Sequence, residues 1–335
     1  MFLIADGNNM AWAGFHALRK PMRAETPEQK TRAALLGLTQ SALGFAVRAG
    51  EPPVPGRAPA AAATLWNRVT RVAVAFDHGR PLRRRSIYPP YQTGRESNLS
   101  FMENEEFVLA AIDQFIELAA HLPIEIVRGE NTEADDLAAV LVLSSEDPVR
   151  IGSTDRDFLQ LVDERVSIYS PVKRLVVSHE NFMDEAAPRT SDGMPVTFPR
   201  ARYLEYRVAS GDPSDDLPGI PGVGALTAAR LLALAPLDAY FDEPRLAEQA
   251  LGRRNAKLDA ALRDEATLEI VARNRLLMDL RLAAKRYDDI DEMVMRGTWN
   301  EAEFRAWVAD QRIAGLEVDA ACQAMASVAA AGGGS

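Results

Sequence analysis

The decamer NTEADDLAAV, Asn131–Val140, poses the question on which the fold of this chain turns. A threonine leads into three carboxylates within four positions, and an apolar helical run follows. Thr132 with Asp135 three residues on fits a helix N-cap, and acids in a first turn suit the helix dipole. For the decamer alone that reading suffices. Unpaired carboxylates are costly to bury, however, so their surroundings have to be sought elsewhere in the chain.

Working outward, short apolar or β-rich runs repeatedly end in aspartate. Met1–Ala5 (MFLIA) hands over to Asp6-Gly7-Asn8-Asn9, and Arg71–Phe76 (RVAVAF) to Asp77. Ile124–Val127 leads into the decamer itself, and Val149–Ser153 (VRIGS) delivers Thr154-Asp155-Arg156-Asp157. Ser167–Ser170 and Leu175–Val177 are further strand candidates, and Pro27–Val47 reads as a helix. Strands alternating with helices predict an α/β fold, a mostly parallel sheet flanked by helices. Ligands of such sheets bind beyond the carboxyl ends of the strands. A lone aspartate there is a turn residue, but Asp6, Asp77 and Asp155 together with the acidic helix predict one shared site.

Between these motifs, Glu51–Ala63 is Pro- and Ala-rich and reads as a surface loop. Arg80–Phe107 alternates arginine with tyrosine, which suits either a solvated loop or a surface for single strands. A Pro-, Ser- and Asp-rich stretch to about Pro199 marks the boundary of a helical second domain. Its first helix, Ala201–Ala209, reaches SGDPSDD, and LPGIPGVG then precedes the helix Leu226–Leu234. Glycines between helices there form a plain corner, or a hairpin whose N–H groups face a phosphate. Pro244–Leu280 reads as helical scaffold. The tail from Ile290 carries two amphipathic helices and a disordered Gly332–Ser335 end.

Composition narrows the classes. With 335 residues, 47% hydrophobic and 26% charged, the chain has room for two cores. One cysteine excludes a disulfide framework, and neither a signal segment nor a membrane-length apolar run is present, so a cytoplasmic setting without membrane partners is expected. A net charge of −10 argues against a nucleic-acid partner until its distribution is considered. Arg80, Arg83, Arg84, Arg85 and Arg95 cluster, while many acids gather around the strand ends. No P-loop, kinase loop set or nucleophile elbow occurs, and His16, His78, His121 and His179 lack metal-ligand spacing.

Asp6, Asp77, Glu133, Asp135, Asp136, Asp155, Asp157, Asp212 and Asp215 then form an oxygen-only ligand set, suited to Mg²⁺ or Mn²⁺ rather than zinc. Two such ions about 3.5–4 Å apart can hold a phosphodiester, activate a water and steady the leaving oxygen. Phosphodiester hydrolysis is the reaction this implies.

In chain order, LIADGNNMAWAGFHAL, VAFD, RRRSIYPPYQTGR, TEADDLAAVL, STDRDFLQLV and SGDPSDDLPGIPGVGALTAARLL span about Met1 to Asp291. With them the chain resembles the structure-specific 5′-nucleases, the flap endonuclease and 5′-3′ exonuclease group of phages and of the nuclease domain of bacterial DNA polymerase I. The resemblance implies a PIN-like core over residues 1–185 with a helical arch near 80–105, and a helix-hairpin-helix (helix-three-turn-helix) domain over 186–290. Residues 291–335 are left as a helical extension. No polymerase domain follows, so a stand-alone, phage-type monomer is expected.

The resemblance assigns Asp6, Asp77, Glu133, Asp135 and Asp136 to a first metal site and Asp155, Asp157, Asp212 and Asp215 to a second. It places Arg83, Arg84, Tyr88, Tyr91 and Arg95 at the arch, where a 5′ single strand passes. Gly219, Ile220, Gly222, Val223, Gly224, Thr227 and Arg230 would hold the duplex backbone, with K⁺ bound at the hairpin. Three positions depart from the family: Ala13 replaces an arginine, and Gln92 and Leu226 replace lysines. Each departure removes a phosphate contact unless Arg83, Arg85 or Arg230 substitutes. The expected substrate is DNA with a 5′ end, flap or junction. The alternatives are a non-catalytic junction binder, which would bind without cutting, and a PIN-like ribonuclease, which would prefer RNA without a duplex.

Overall fold

In the computed structural model β1 (Phe2–Asp6) is buried along its whole length, with Phe2 and Ile4 in one apolar cluster and Leu3 and Ala5 in another. Side chains alternate across a strand, so β1 needs cover on both faces, as parallel sheets generally do. The same split recurs in β2 (Arg71–Phe76), where Ala73 and Ala75 face the first cluster and Val72, Val74 and Phe76 the second. The structure describes residues 1–52 and 68–332. Most of the loop expected over Glu51–Ala63, and the end of the tail, lie outside the described residues.

β3 (Glu125–Arg128), β4 (Val149–Gly152), β5 (Val166–Ser170) and β6 (Leu175–Val177) complete most of the sheet. A separate two-stranded ladder joins β7 (Gly211–Asp212) to β8 (Leu217–Pro218). The large sheet runs β6-β5-β4-β1-β2-β3-β9, with β9 being Val294–Arg296. Its inner strands β5 to β3 are parallel and both edges antiparallel. Parallel pairing of β1 with β2 and β4 brings the ends that carry Asp6, Asp77 and Asp155 to one side.

On one face lie the helix Ala134–Leu143 and, in the same cluster, Tyr203, Val208, Leu231 and Leu277 of the helical half. The helical half therefore shares a continuous core with the sheet. The other face is covered by α1 (Gly7–Arg19), α2 (Pro27–Val47), the helix Glu105–Ala119 and the two tail helices Glu301–Asp310 and Val318–Gly332. β9 was not read in the sequence, because what makes Val294–Arg296 a strand is its pairing with the distant β3. Pro244–Leu280 divides into two short helices, Leu246–Leu251 and Ala256–Ala261, and the longer Glu265–Met278, the first of them ended by Gly252 at φ 66°. No helix among the described residues is long and apolar enough to cross a membrane.

Two local features fix the elements beneath the site. Thr26 and Gln29 form a reciprocal capping box at the start of α2. α1 and α2 touch at Gly14 and Gly37, where a Cβ on Gly14 would meet Gly37 Cα at 2.6 Å. The capping box read at Thr132 does not form: the helix opens at Ala134 with Glu133 at its N-cap and no side-chain bond from it. The cap is supplied from another strand end, since Asp77 Oδ1 accepts the N–H of Ala134 at 2.7 Å.

Candidate active site

Beyond the strand ends lies a cavity of about 750 Å³ whose walls include Asp6, Asp77, Glu133, Asp135, Asp155 and Asp215. These six acids come from five well-separated segments of the chain, Glu133 and Asp135 sharing one, and short polar side chains orient several of them. Asp6 ends β1 and caps α1, its Oδ1 accepting the N–H of Asn9 at 3.0 Å and its Oδ2 the Ser153 hydroxyl at 2.7 Å. Asn8 accepts the Asp77 N–H at 2.9 Å, and Asn9 accepts the N–H of Thr154 at 3.1 Å, tying α1 to both neighbouring strand ends. Asp155 Oδ1 accepts the N–H of Asp157 at 2.8 Å.

Asp136, Asp157 and Asp212 are displaced from the cavity wall and are held by arginines. Arg84 donates to both oxygens of Asp136, at 2.6 and 3.1 Å, and to Glu133. Arg207 donates Nε and Nη2 to Asp157 at 3.0 and 2.7 Å and also bonds Asp212. One carboxylate oxygen from each of Asp157, Asp212 and Asp215 lies within 4.8 Å of the others. Asp215 also bonds Arg95 at 3.0 Å and so links this trio to the cavity.

The arch residues differ from expectation. Arg84 and Tyr91, read as facing a single strand, are only 6% and 4% exposed and point at the acids. The Tyr91 hydroxyl reaches Glu133 at 3.1 Å and Asp215 at 3.2 Å. Buried carboxylates demand a cation or donors, and these two side chains meet that demand. Arg83 is exposed, whereas Tyr88 is half-buried with the Arg273 guanidinium 4.2 Å from its ring centre. Gln92 is buried too, its amide donating to Glu133 at 3.1 Å and Asp215 at 3.0 Å. Arg207, Ser153 and the two asparagines were not singled out in the sequence. Asn8 and Asn9 directly follow Asp6 and could have been; nothing local marks Arg207.

Electrostatics separates two groups. Arg84, Arg95 and Arg207 partly neutralise Glu133, Asp136, Asp215, Asp157 and Asp212. Among the described residues no salt bridge reaches Asp6, Asp77, Asp135 or Asp155. Burial and then mutual repulsion raise the Asp6 carboxyl to about 7, and burial with four acidic neighbours holds Asp135 well above the ordinary range. Burial likewise lifts Glu133 and Asp157 to about 7 against the pull of Arg84 and Arg207. A buried oxygen cluster without a cationic partner, its carboxyls held towards the neutral form by burial, fits hard divalent cations.

Between β8 and the helix Ala225–Leu234 the chain turns through residues 219–224. Ile220 and Val223 are buried anchors, with the Ile220 N–H on Ala209 O at 2.9 Å. Gly222 at φ 85° takes the left-handed turn, and Gly224 opens the helix Ala225–Leu234. Thr227 is half-buried and Arg230 exposed.

A mostly parallel, helix-covered sheet with oxygen donors gathered past its strand ends places the chain among α/β proteins built to hold hard cations. More narrowly, the chain belongs to the family described as 5′-3′ exonuclease, N-terminal resolvase-like domain, which residues 1–188 match. Over 286 residues it is 32% identical to DNA polymerase I of Mycobacterium bovis, covering 83% of this chain and 27% of that one. The chain thus spans 27% of the length of that polymerase. It is 42% identical over 119 residues to a 5′-3′ exonuclease of Streptomyces coelicolor, covering 34% of this chain and 38% of the other. The fold is similar to that of a bacteriophage T5 flap endonuclease crystallised with DNA and metal ions. The TM-score is 0.60 at 17% identity, with 93% of this chain and 99% of that one covered.

Proposed function

We propose that this chain is a divalent-metal-dependent 5′-3′ exonuclease and flap endonuclease that hydrolyses DNA phosphodiesters near junctions of single strand and duplex. The observation that carries this reading is the convergence of Asp6, Asp77, Glu133, Asp135, Asp155 and Asp215 on one cavity. Two Mg²⁺ or Mn²⁺ ions held there would supply Lewis acidity for water attack and for the departing oxygen. Asp6, Asp77, Asp135 and Asp155, the acids without a salt bridge, are the first candidates to hold them. Asp157, Asp212 and Asp215 form the second group, with Arg207 fixing its geometry.

The protein's own groups handle the substrate. Arg95, which lines the cavity paired with Asp215 at 3.0 Å, would trade that carboxylate for a phosphate entering it. Trp12 and Phe101, stacked at 4.8 Å on the same wall, offer ring surface to an unpaired base. The Gly219–Gly224 hairpin would hold the duplex backbone through N–H groups facing phosphate, and its C=O groups would be the ones to hold K⁺. Such contacts read no base sequence, so selectivity is for structure.

The test incubates the protein with a 5′-flap duplex and Mg²⁺, beside an EDTA control and the Asp155→Asn variant. Cleavage near the junction, lost in both controls, is expected. Binding without cleavage in the wild type would overturn the reading in favour of a junction binder.

A further inference from the structure

The hairpin meets a residue from outside its own helix pair. Lys257 stands on the helix Ala256–Ala261, whose N-cap Asn255 accepts the N–H of the fully buried Leu258 at 3.1 Å. That bond and the Leu258 anchor set the direction in which Lys257 projects. A Cβ placed on Gly222 would lie 3.4 Å from both Cγ and Cδ of Lys257, so the lysine stem runs against the exposed glycine of the turn. The stem packs while the ammonium stays in solvent, a common arrangement for lysine.

Apart from Arg230, exposed on the helix that follows the turn, charge at the hairpin is sparse. Leu226, on the helix that follows the turn, brings none. Arg85, one of the substitutes considered from sequence, is occupied by Tyr91 O at 3.2 Å and Glu96 at 2.8 Å. Arg254 and Arg263, close to Lys257 in the chain, both reach Asp259, at 3.9 and 3.0 Å. Among the described residues Lys257 has no ion pair.

We infer that Lys257 is a phosphate-binding cation of the hairpin, contacting the duplex backbone beside the Gly222 turn and replacing the charge that Leu226 does not supply. This rests on the nuclease reading above and adds to it the residue that grips the duplex. Gly222 is suited to the role because the absence of a side chain leaves room for the lysine stem and a phosphate together.

The experiment uses the full chain in EDTA, so that nothing is cut, and follows fluorescence anisotropy of a labelled 5′-flap duplex through a KCl series. Removing one phosphate contact should flatten the slope of log K against log salt by about 0.9. Lys257→Ala should show that loss, Lys257→Arg should keep the wild-type slope, and Leu226→Lys added to Lys257→Ala should restore it. Lys173→Ala, at an exposed lysine paired with Glu185, is the control and should leave the slope unchanged. Thermal melts should show all variants folded alike. An unchanged slope in Lys257→Ala, or an equal loss in Lys173→Ala, overturns the inference while leaving the nuclease reading in place. A wild-type chain that fails to bind the duplex removes both.

Discussion

Asp77 Oδ1 accepts the backbone N–H of Ala134 at 2.7 Å, so a carboxylate at the end of β2 caps the helix that carries Asp135 and Asp136. Asp77→Asn keeps an acceptor there and removes the charge, whereas Asp77→Ala removes both. Urea denaturation should place Asp77→Ala about 1 kcal/mol below Asp77→Asn, the usual worth of an N-cap. Both should lose cleavage. Equal stabilities would show that the bond does not cap the helix in solution.

Arg84 is the cation of a buried trio with Glu133 and Asp136. Arg84→Met strands two buried carboxylates and should cost roughly 3–5 kcal/mol in urea denaturation. Adding Glu133→Gln and Asp136→Asn should recover most of that loss. A cost of only about 0–1 kcal/mol for Arg84→Met would mean that the trio is screened like a surface pair.

Burial, reinforced by neighbouring acids, raises Asp6 and Asp157 from 3.8 to about 7 and Glu133 from 4.5 to about 7. The folded state therefore binds protons that the unfolded chain has already released. Their stabilising contribution is present below the unfolded values and is lost as pH rises through about 7. In EDTA, the Tm should fall between about pH 5 and about pH 8. Mg²⁺ should raise it more at the alkaline end, where protons no longer compete for the oxygens. A Tm in EDTA that climbs across this range would contradict the burial of these acids.

Gly14 and Gly37 let α1 and α2 approach backbone to backbone. Gly14→Ala would set a methyl 2.5 Å from the carbonyl carbon of Gly37, and neither backbone can yield cheaply. A loss of about 1–3 kcal/mol is expected, as for overpacked cores, measured by chemical denaturation. Gly224→Ala is the contrast, because nothing lies within 4 Å of a Cβ there and its φ is −99°. Matching losses in the two variants would refute the contact.

The bounds of α2 and β2 were legible residue for residue, because apolar periodicity and flanking polar residues are local properties. So were the acids at the strand ends, since an aspartate after a short apolar run is visible in one stretch of text. The inward turn of Arg84 was not legible. Arg83, Arg84 and Arg85 read alike, and only the fold shows that the middle one is buried against Glu133 and Asp136 while Arg83 stays exposed. The bond of Arg207 to Asp157, 50 residues away, and the pairing of β9 at the sheet edge depended equally on distant partners.

By itself the sequence determined the alternation of strands and helices and the presence of nine acids suited to hard cations. The tertiary structure alone decided which of those acids are matched to an arginine and which have no cationic partner. The reason is physical: the cost of a buried charge depends on what packs around it, and its partners lie far away along the chain.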